Sequence, residues 1–504
     1  MSPFHSNSIR KSKIKGDANM AAITKQLVQQ VDQWIARHRD EMVDEVCRLI
    51  RFPSVADPSG VPPYGQNCRE VLDAYLEIGK SHGLAARNHD YHVGELYCPQ
   101  WEGKPKRIGL MGHLDVVPAG EGWICPPFAG TVKDGLIIGR GSQNNKGPSI
   151  AGLYTVLCLR DLGLPLTYDV CALAGTNEES GMDDARYYAA HCALPDLILV
   201  TDSGFPVCYG ERPVVSGRMA ASRPFAKIHA LWAENVPGLV PRHAEALLEK
   251  SGALLEKLEG LSLPEGCGWK ETDEGILCWA DSVSGHPSFT DIRSGVIVKL
   301  LLLLLENGLA EDEGDRETLA FAAKAVCSAD GAALGIDFED EPSGKMKWSC
   351  GTLSLEEGRL QLGFSARCPL TVDPSKVFPA VLKSCEAAGF TAVQTRFLPG
   401  NHFPKSTPVI QTLDEVFRQT TELDWQPQVF SAGTHARQLP TAVAYGPGGL
   451  VGTCVPDSSL LPYGHGGAHQ PDECQSIDAL CTALKVYILA VAALDGQPLG
   501  KDGK

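Results

Sequence analysis

Residues 107–115 read RIGLMGHLD, a short apolar run that stops on His113 and Asp115. Two further runs have the same form: YDVCALAGTNEE at 168–179 ends on Glu178 and Glu179, and LILVTDSG at 197–204 carries Asp202 just past its apolar part. Amphipathic stretches at 147–162 and 183–192 lie between them. Short apolar runs alternating with helical spacing predict an α/β sheet flanked by helices. In such sheets the functional groups gather just beyond the carboxyl ends of the strands. Each of the three runs places a His, Asp or Glu there.

Upstream, residues 25–50 repeat apolar positions at helical spacing (Leu27, Val31, Trp34, Ile35, Met42, Val46, Leu49), with Pro53 just past the end, and residues 69–82 repeat the pattern. After Glu211 the texture shifts to a long region with its own strands and helices. Near Pro408 helix, strand (TAVAYG), a Gly-rich loop and a last amphipathic helix at 477–494 resume. The expected organisation is a discontinuous catalytic domain, 20–211 and 400–496, interrupted by an inserted domain at 212–399, with a disordered leader at 1–19 and a tail at 497–504. Six consecutive leucines at 300–305 are too few to span a bilayer and predict a buried helix.

The chain has 504 residues, enough for two or three domains, and 43% hydrophobic with 21% charged residues is ordinary for a globular protein. A formal charge of -16 argues against nucleic acid and anionic membranes as partners, because both need clustered Lys and Arg. The 17 cysteines are odd in number and contain no CxxC pair, so neither a disulfide framework nor a thiolate zinc site is expected and a reducing cytoplasm is. Residues 1–19, MSPFHSNSIRKSKIKGDAN, lack the apolar core of a secretory signal.

Singly, a His or Glu at a strand end is more often a satisfied surface residue than a ligand. Together, His113, Asp115, Glu178, Glu179, Asp202 and a late His469 in a Gly-rich loop form a set suited to zinc and similar divalent ions. A hydrolytic site also needs a group to deprotonate water, and one carboxylate of the Glu-Glu pair can do that while its neighbour binds metal. Asp115 could accept the His113 ring N–H and fix its tautomer.

MGHLDVVPAGEGW (111–123), PPFAGTVKDGLIIGRGSQNNKG (126–147), GTNEESG (175–181), VTDSGFP (200–206) and GGAHQPDE (466–473) resemble, in order and spacing, the metallopeptidase family of acetylornithine deacetylase, succinyl-diaminopimelate desuccinylase and carnosinase. The likeness is greatest to its PepV-like bacterial dipeptidase branch. It implies a zinc-peptidase catalytic domain with a mixed sheet flanked by helices, plus an inserted α+β lid. It further implies that His113 and Asp202 hold one ion, Glu179 and His469 another, and that Glu178 is the general base. VSGHPSF (283–289) resembles the lid motif, so His286 would polarise the scissile carbonyl and stabilise the oxyanion. SAGTHARQLP (431–440) resembles a Gly-Gly-Thr-Tyr-Ala-Arg motif, so Arg437 would clamp a substrate carboxylate, beside Gly433, Thr434 and His435. ARCPLTVDP (366–374) resembles a lid strand. The long lid favours a monomer, with a dimer through the lid as the alternative.

The chain departs from that pattern at three positions. Ala432 and His435 replace a glycine and the tyrosine of the arginine motif. Asn144 stands where the family has an aspartate bridging two ions. An asparagine offers one neutral carbonyl oxygen, and its NH2 repels a cation. The expected activity is metal-dependent hydrolysis of dipeptides or N-acyl amino acids with a free C-terminal carboxylate, with one or two zinc ions, or manganese or cobalt. The rival is a catalytically impaired homologue that binds such molecules without efficient turnover. His465 competes with His469 as a ligand, and Cys208 and Cys454 are expected to be inert thiols. GKSHG (79–83) matches G-x-S-x-G only at the end of a helix, and GRGSQNNKG (139–147) lacks the GK[ST] ending of a phosphate loop.

Overall fold

The computed structural model describes residues 23–234, 241–282, 295–430, 432–448, 461–462 and 464–501. The chain forms two compact units: residues up to 209 with 403–428 and 434 onward, and residues 210–402 with 429–433.

In the first unit the central sheet has the strand order Ala85–His89, Val93–Tyr97, Asp169–Gly175, Arg107–His113, Leu197–Val200, Ala442–Ala444, Cys208–Glu211. The middle is parallel: Arg107–His113 pairs with both Asp169–Gly175 and Leu197–Val200, and Leu197–Val200 pairs with Ala442–Ala444. Antiparallel strands close both sides. The three runs that open the sequence reading are therefore central strands, apolar on both faces because helices cover both. Helix Gly147–Asp161 is buried on nearly every side, and it packs against helix Ile477–Ala493 and the sheet. An all-round apolar sequence is stable only in such a place.

Helix Lys25–Ile50 begins where Thr24 Oγ1 accepts the N–H of Leu27 at 3.1 Å. Its buried face holds all seven apolar residues whose spacing predicts it. The next helix runs Gln66–Ser81, three residues earlier than its apolar pattern, because Gly65 at φ 94° turns the chain into it. Ser81 in GKSHG donates to Ile78 O at 2.7 Å, an ordinary helix-end contact. A small antiparallel sheet, Cys474–Ser476, Leu136–Ile138 and Thr131–Lys133, ties the last loop to the segment before Asn144.

The second unit is α+β. One antiparallel sheet is ordered Lys347–Glu356, Arg359–Arg367, Val214–Ala221, Phe390–Leu398, and another Ile228–Ala233, His243–Leu248, Gly275–Asp281, Cys267–Thr272. The leucine run lies in helix Val296–Glu306, where Leu300, Leu301, Leu303 and Leu304 are buried. No helix among the described residues is long and apolar enough to cross a membrane.

Candidate active site

Strand register gathers the site. His113 closes its strand opposite Gly175, so residues 176–179 continue beside it. Met111 lies opposite Val200, which brings Thr201 and Asp202 level with the same end. Close packing there demands glycine at 112, because a Cβ would stand 2.3 Å from Ser149 Oγ and 2.4 Å from Asn145 Oδ1.

His113 is fully buried. Its Nδ1 lies 2.9 Å from the backbone oxygen of Asp115 and 3.4 Å from the Asp115 carboxylate. The backbone carbonyl thus has the shorter contact with the ring, while the two carboxylate oxygens each accept a backbone N–H, from Glu178 and Glu179, both at 3.0 Å. Asp115 in this way holds the Glu-Glu pair in place. The other ring nitrogen, Nε2, faces Asn144 Oδ1 at 3.2 Å and Asp202 Oδ2 at 3.7 Å. Ligand atoms of His113, Glu178 and Asp202 all lie within 4.8 Å of one another. An imidazole nitrogen ringed by oxygens is a donor set that fits a divalent cation.

Burial drives Glu178 well above the usual carboxylate range, the charge of Asp202 adds to this, and His113 opposes it. Burial likewise raises Asp202. His113 shifts upward although burial opposes it, because Asp115, Asp202 and Glu178 favour its charged form. These are the marks of negative charge gathered in a small, poorly hydrated space.

On the far side of Asn144 the contacts differ. Its Nδ2 donates to Glu179 Oε1 at 2.8 Å and lies 2.9 Å from His469 Nε2, which is itself 2.8 Å from Glu179 Oε1. Burial pushes Glu179 up, and the bond and charge of His469 more than reverse it. His469 has φ 65°, a left-handed backbone conformation that a non-glycine residue keeps only where its surroundings impose it. His465, the competing ligand candidate, is engaged by Asp472 at 2.6 Å.

The loop carrying Asn144 hangs on a buried carboxylate that motif reading did not single out. Glu473 Oε1 accepts the backbone N–H groups of Gly141, Gln143 and Asn144 at 3.1, 3.1 and 2.9 Å, and Arg140 pairs with Oε2. Arg140 also donates to the carbonyls of Ala119, His469 and Gln470, so one guanidinium joins three loops of the site. Gly141 at φ 91° starts this turn, and Asn144 (φ -125°, ψ 88°) and Asn145 (φ -139°, ψ 20°) stay out of helical conformation before the helix begins at Gly147. Lys146 is buried, donates to Phe52 O at 2.8 Å, and is pushed down to about 7 by burial.

Thr434 caps the short turn His435–Arg437 through Ala436 N at 3.1 Å, and Arg437 is buried on that turn. Gly433 precedes it in the chain. His435 is fully buried with its Nε2 3.1 Å from Asp184, another residue that motif reading passed over. Asp184 in turn accepts the N–H of Asn177 at 2.8 Å, at the root of the Glu-Glu loop. The His435 and His113 rings meet edge to face at 6.3 Å. Cys208 is buried, whereas His286 and Cys454 lie outside the described residues. Among the described residues one other group, Glu41, Glu45 and His82, has ligand-like spacing, and there His82 is engaged by Glu45 at 2.7 Å.

A mixed sheet whose parallel central strands end in a histidine and carboxylate cluster is an arrangement suited to metal-dependent hydrolysis. The sequence profile of Peptidase family M20/M25/M40 matches residues 109–493, and the chain belongs to that family. The family expected from the motifs, the mixed sheet flanked by helices, the hydrolytic character and the use of a divalent metal all stand on this. The candidate dipeptidase YtjP of Bacillus subtilis (strain 168) is 28% identical over 476 residues, covering 91% of this chain and 98% of its own. Human carnosine dipeptidase 1 has the same fold at 16% identity, with a TM-score of 0.56 over 93% of this chain and 99% of its own. The dipeptidase Dug1p of Saccharomyces cerevisiae matches at 13% identity and a TM-score of 0.56, covering 94% of this chain and 100% of its own.

Proposed function

We propose that the chain hydrolyses the amide bond of dipeptides or N-acyl amino acids bearing a free C-terminal carboxylate. The observation that carries this reading is the convergence of His113, Glu178 and Asp202 within 4.8 Å at the ends of adjacent strands. His113, Asp202 and the Asn144 carbonyl oxygen are the groups that would hold a divalent ion there, zinc first, with manganese or cobalt as alternatives. A bound ion of this kind lowers the pKa of a water and polarises a carbonyl.

Glu178 takes the proton from the attacking water and returns it to the leaving nitrogen; its burial, which favours the protonated carboxyl, suits the second task. Asp115 holds Glu178 in place through the backbone N–H. Arg437 binds the substrate carboxylate as a two-pronged donor, with Gly433, Thr434 and His435 shaping its surroundings. By the family resemblance, the oxyanion contact would fall to His286, which lies outside the described residues. Residues 212–399 act as the lid, the protein works as a monomer, and its place is the cytoplasm.

One observation favours a second reading, a homologue that binds these molecules with little turnover. Asn144 presents an N–H group, not an anionic oxygen, to Glu179, beside His469. Dipeptide hydrolysis by the zinc-loaded protein and by Asn144→Asp separates the two. Turnover by the unaltered protein supports the first reading, and turnover only after the substitution supports the second. No turnover by either with zinc, manganese or cobalt overturns the proposed activity.

A further inference from the structure

We infer that the centre holds a single divalent ion, on the His113 and Asp202 side of Asn144, and that the carboxamide nitrogen of Asn144 takes the place of a second ion between Glu179 and His469. This rests on the metal-dependent reading above and deepens it.

The amide has a defined orientation. Glu179 Oε1, 2.8 Å from Asn144 Nδ2, can only accept when ionised, so the NH2 end must face it. Turning the amide over would set two oxygens against each other. The carbonyl oxygen is thereby committed to the other side, 3.2 Å from His113 Nε2. There it adds a third possible donor to an imidazole nitrogen and the Asp202 carboxylate, while Glu178 stands close enough to hold water.

The spacing of the two groups separates them further. Donors of about 2.0–2.1 Å bond length around a tetrahedral ion stand about 3.3 Å apart. The contacts of His113 Nε2, at 3.2 Å to Asn144 and 3.7 Å to Asp202, lie on either side of that value, the shorter also within hydrogen-bond range. Asn144 Nδ2 and His469 Nε2 instead each stand 2.8 Å from Glu179 Oε1, the length of direct hydrogen bonds donated to that carboxylate, and 2.9 Å from each other. An aspartate at 144 would put a second anionic oxygen against Glu179, a repulsion relieved by a cation between them or by a shared proton. Asparagine removes the repulsion by donating a proton, and with it the need for that cation.

Zinc titration followed by calorimetry and by native mass spectrometry counts the ions without reference to turnover. The full chain should take up one zinc ion, Asn144→Asp two, His469→Ala one, and His113→Ala none. Asp202→Asn, which keeps the shape of the side chain, gives a second reading of the His113 side should His113→Ala fail to fold; its affinity for zinc should drop at least tenfold. Two ions in the unaltered protein, one ion in Asn144→Asp, or loss of the ion in His469→Ala with retention in His113→Ala would each overturn the inference. One bound ion with no peptide hydrolysis would refute the proposed activity and leave the ion count standing.

Discussion

On one side of Asn144 stand His113, Asp202 and Glu178; on the other stand Glu179 and His469. Both sides pair an imidazole with carboxylates brought together at the end of the same sheet. On the first, the imidazole nitrogen meets oxygens on every recorded contact, and the buried carboxylates Glu178 and Asp202 shift upward. On the second, a neutral N–H donor enters the group, and the bond and charge of His469 draw Glu179 downward against its burial. One uncharged side chain, placed between two similar groups, thus leaves one in need of a cation and satisfies the other. Counting candidate ligands is therefore a poor guide to counting ions.

The largest expected effect tests that asymmetry through turnover. Glu178→Gln should lower kcat roughly 10²- to 10⁴-fold, the usual worth of a general base. Glu179→Gln keeps a hydrogen-bond partner for Asn144 and should cost no more than about tenfold, the worth of one ordinary hydrogen bond. Equal losses in steady-state assays of the two variants would erase the distinction between the sides.

Glu473→Ala should come next, because it leaves the buried Arg140 guanidinium unpaired and three backbone N–H groups of the Asn144 loop without an acceptor. Breaking a buried pair in this way costs about 3–5 kcal/mol, readable by urea denaturation. Both sides depend on this loop, so zinc affinity should fall as well. A variant of normal stability would show that the loop is held by something else.

The acid limb of stability should draw on a carboxylate outside both sides as well. Glu95 is held at about 2 despite burial, by His89 and Arg107. A carboxylate depressed in the folded state contributes stability above its unfolded value of about 4.3. That contribution is lost as pH falls from there through 2. Denaturation midpoints between pH 6 and pH 2.5 should decline for the native chain and decline less for Glu95→Gln. The smallest effect is expected at Thr24→Ala, which removes a helix cap and should cost about 0.5–2 kcal/mol without altering the number of bound ions.

The strand-end residues were legible because apolar runs of strand length stop on His113, Glu178 and Asp202, and the apolar spacing of Lys25–Ile50 marked that helix to its ends. Glu473 and Arg140 were not, since they lie 333 residues apart and a buried ion pair between loops carries no periodic signal. The nearest hint was Glu473 at the end of GGAHQPDE, directly after Asp472. Asp184 sits in an amphipathic helix start where an aspartate is unremarkable, and its pairing with His435 exists only once the chain has folded. For Asp115 the position was readable and its partners were not. An ionised carboxylate accepts from any nearby N–H, and here the two backbone N–H groups of Glu178 and Glu179 lie closer than the ring of His113. The orientation of the Asn144 amide, on which the asymmetry depends, is set by Glu179 and lies beyond any one-dimensional pattern.

Anomalous diffraction at the zinc edge, from crystals of the unaltered chain soaked in zinc, tests the asymmetry most directly. One peak is predicted, bounded by His113 Nε2, Asp202 and the Asn144 carbonyl oxygen, with none between Glu179 and His469. Two peaks, or a single peak on the Glu179 and His469 side, would contradict it.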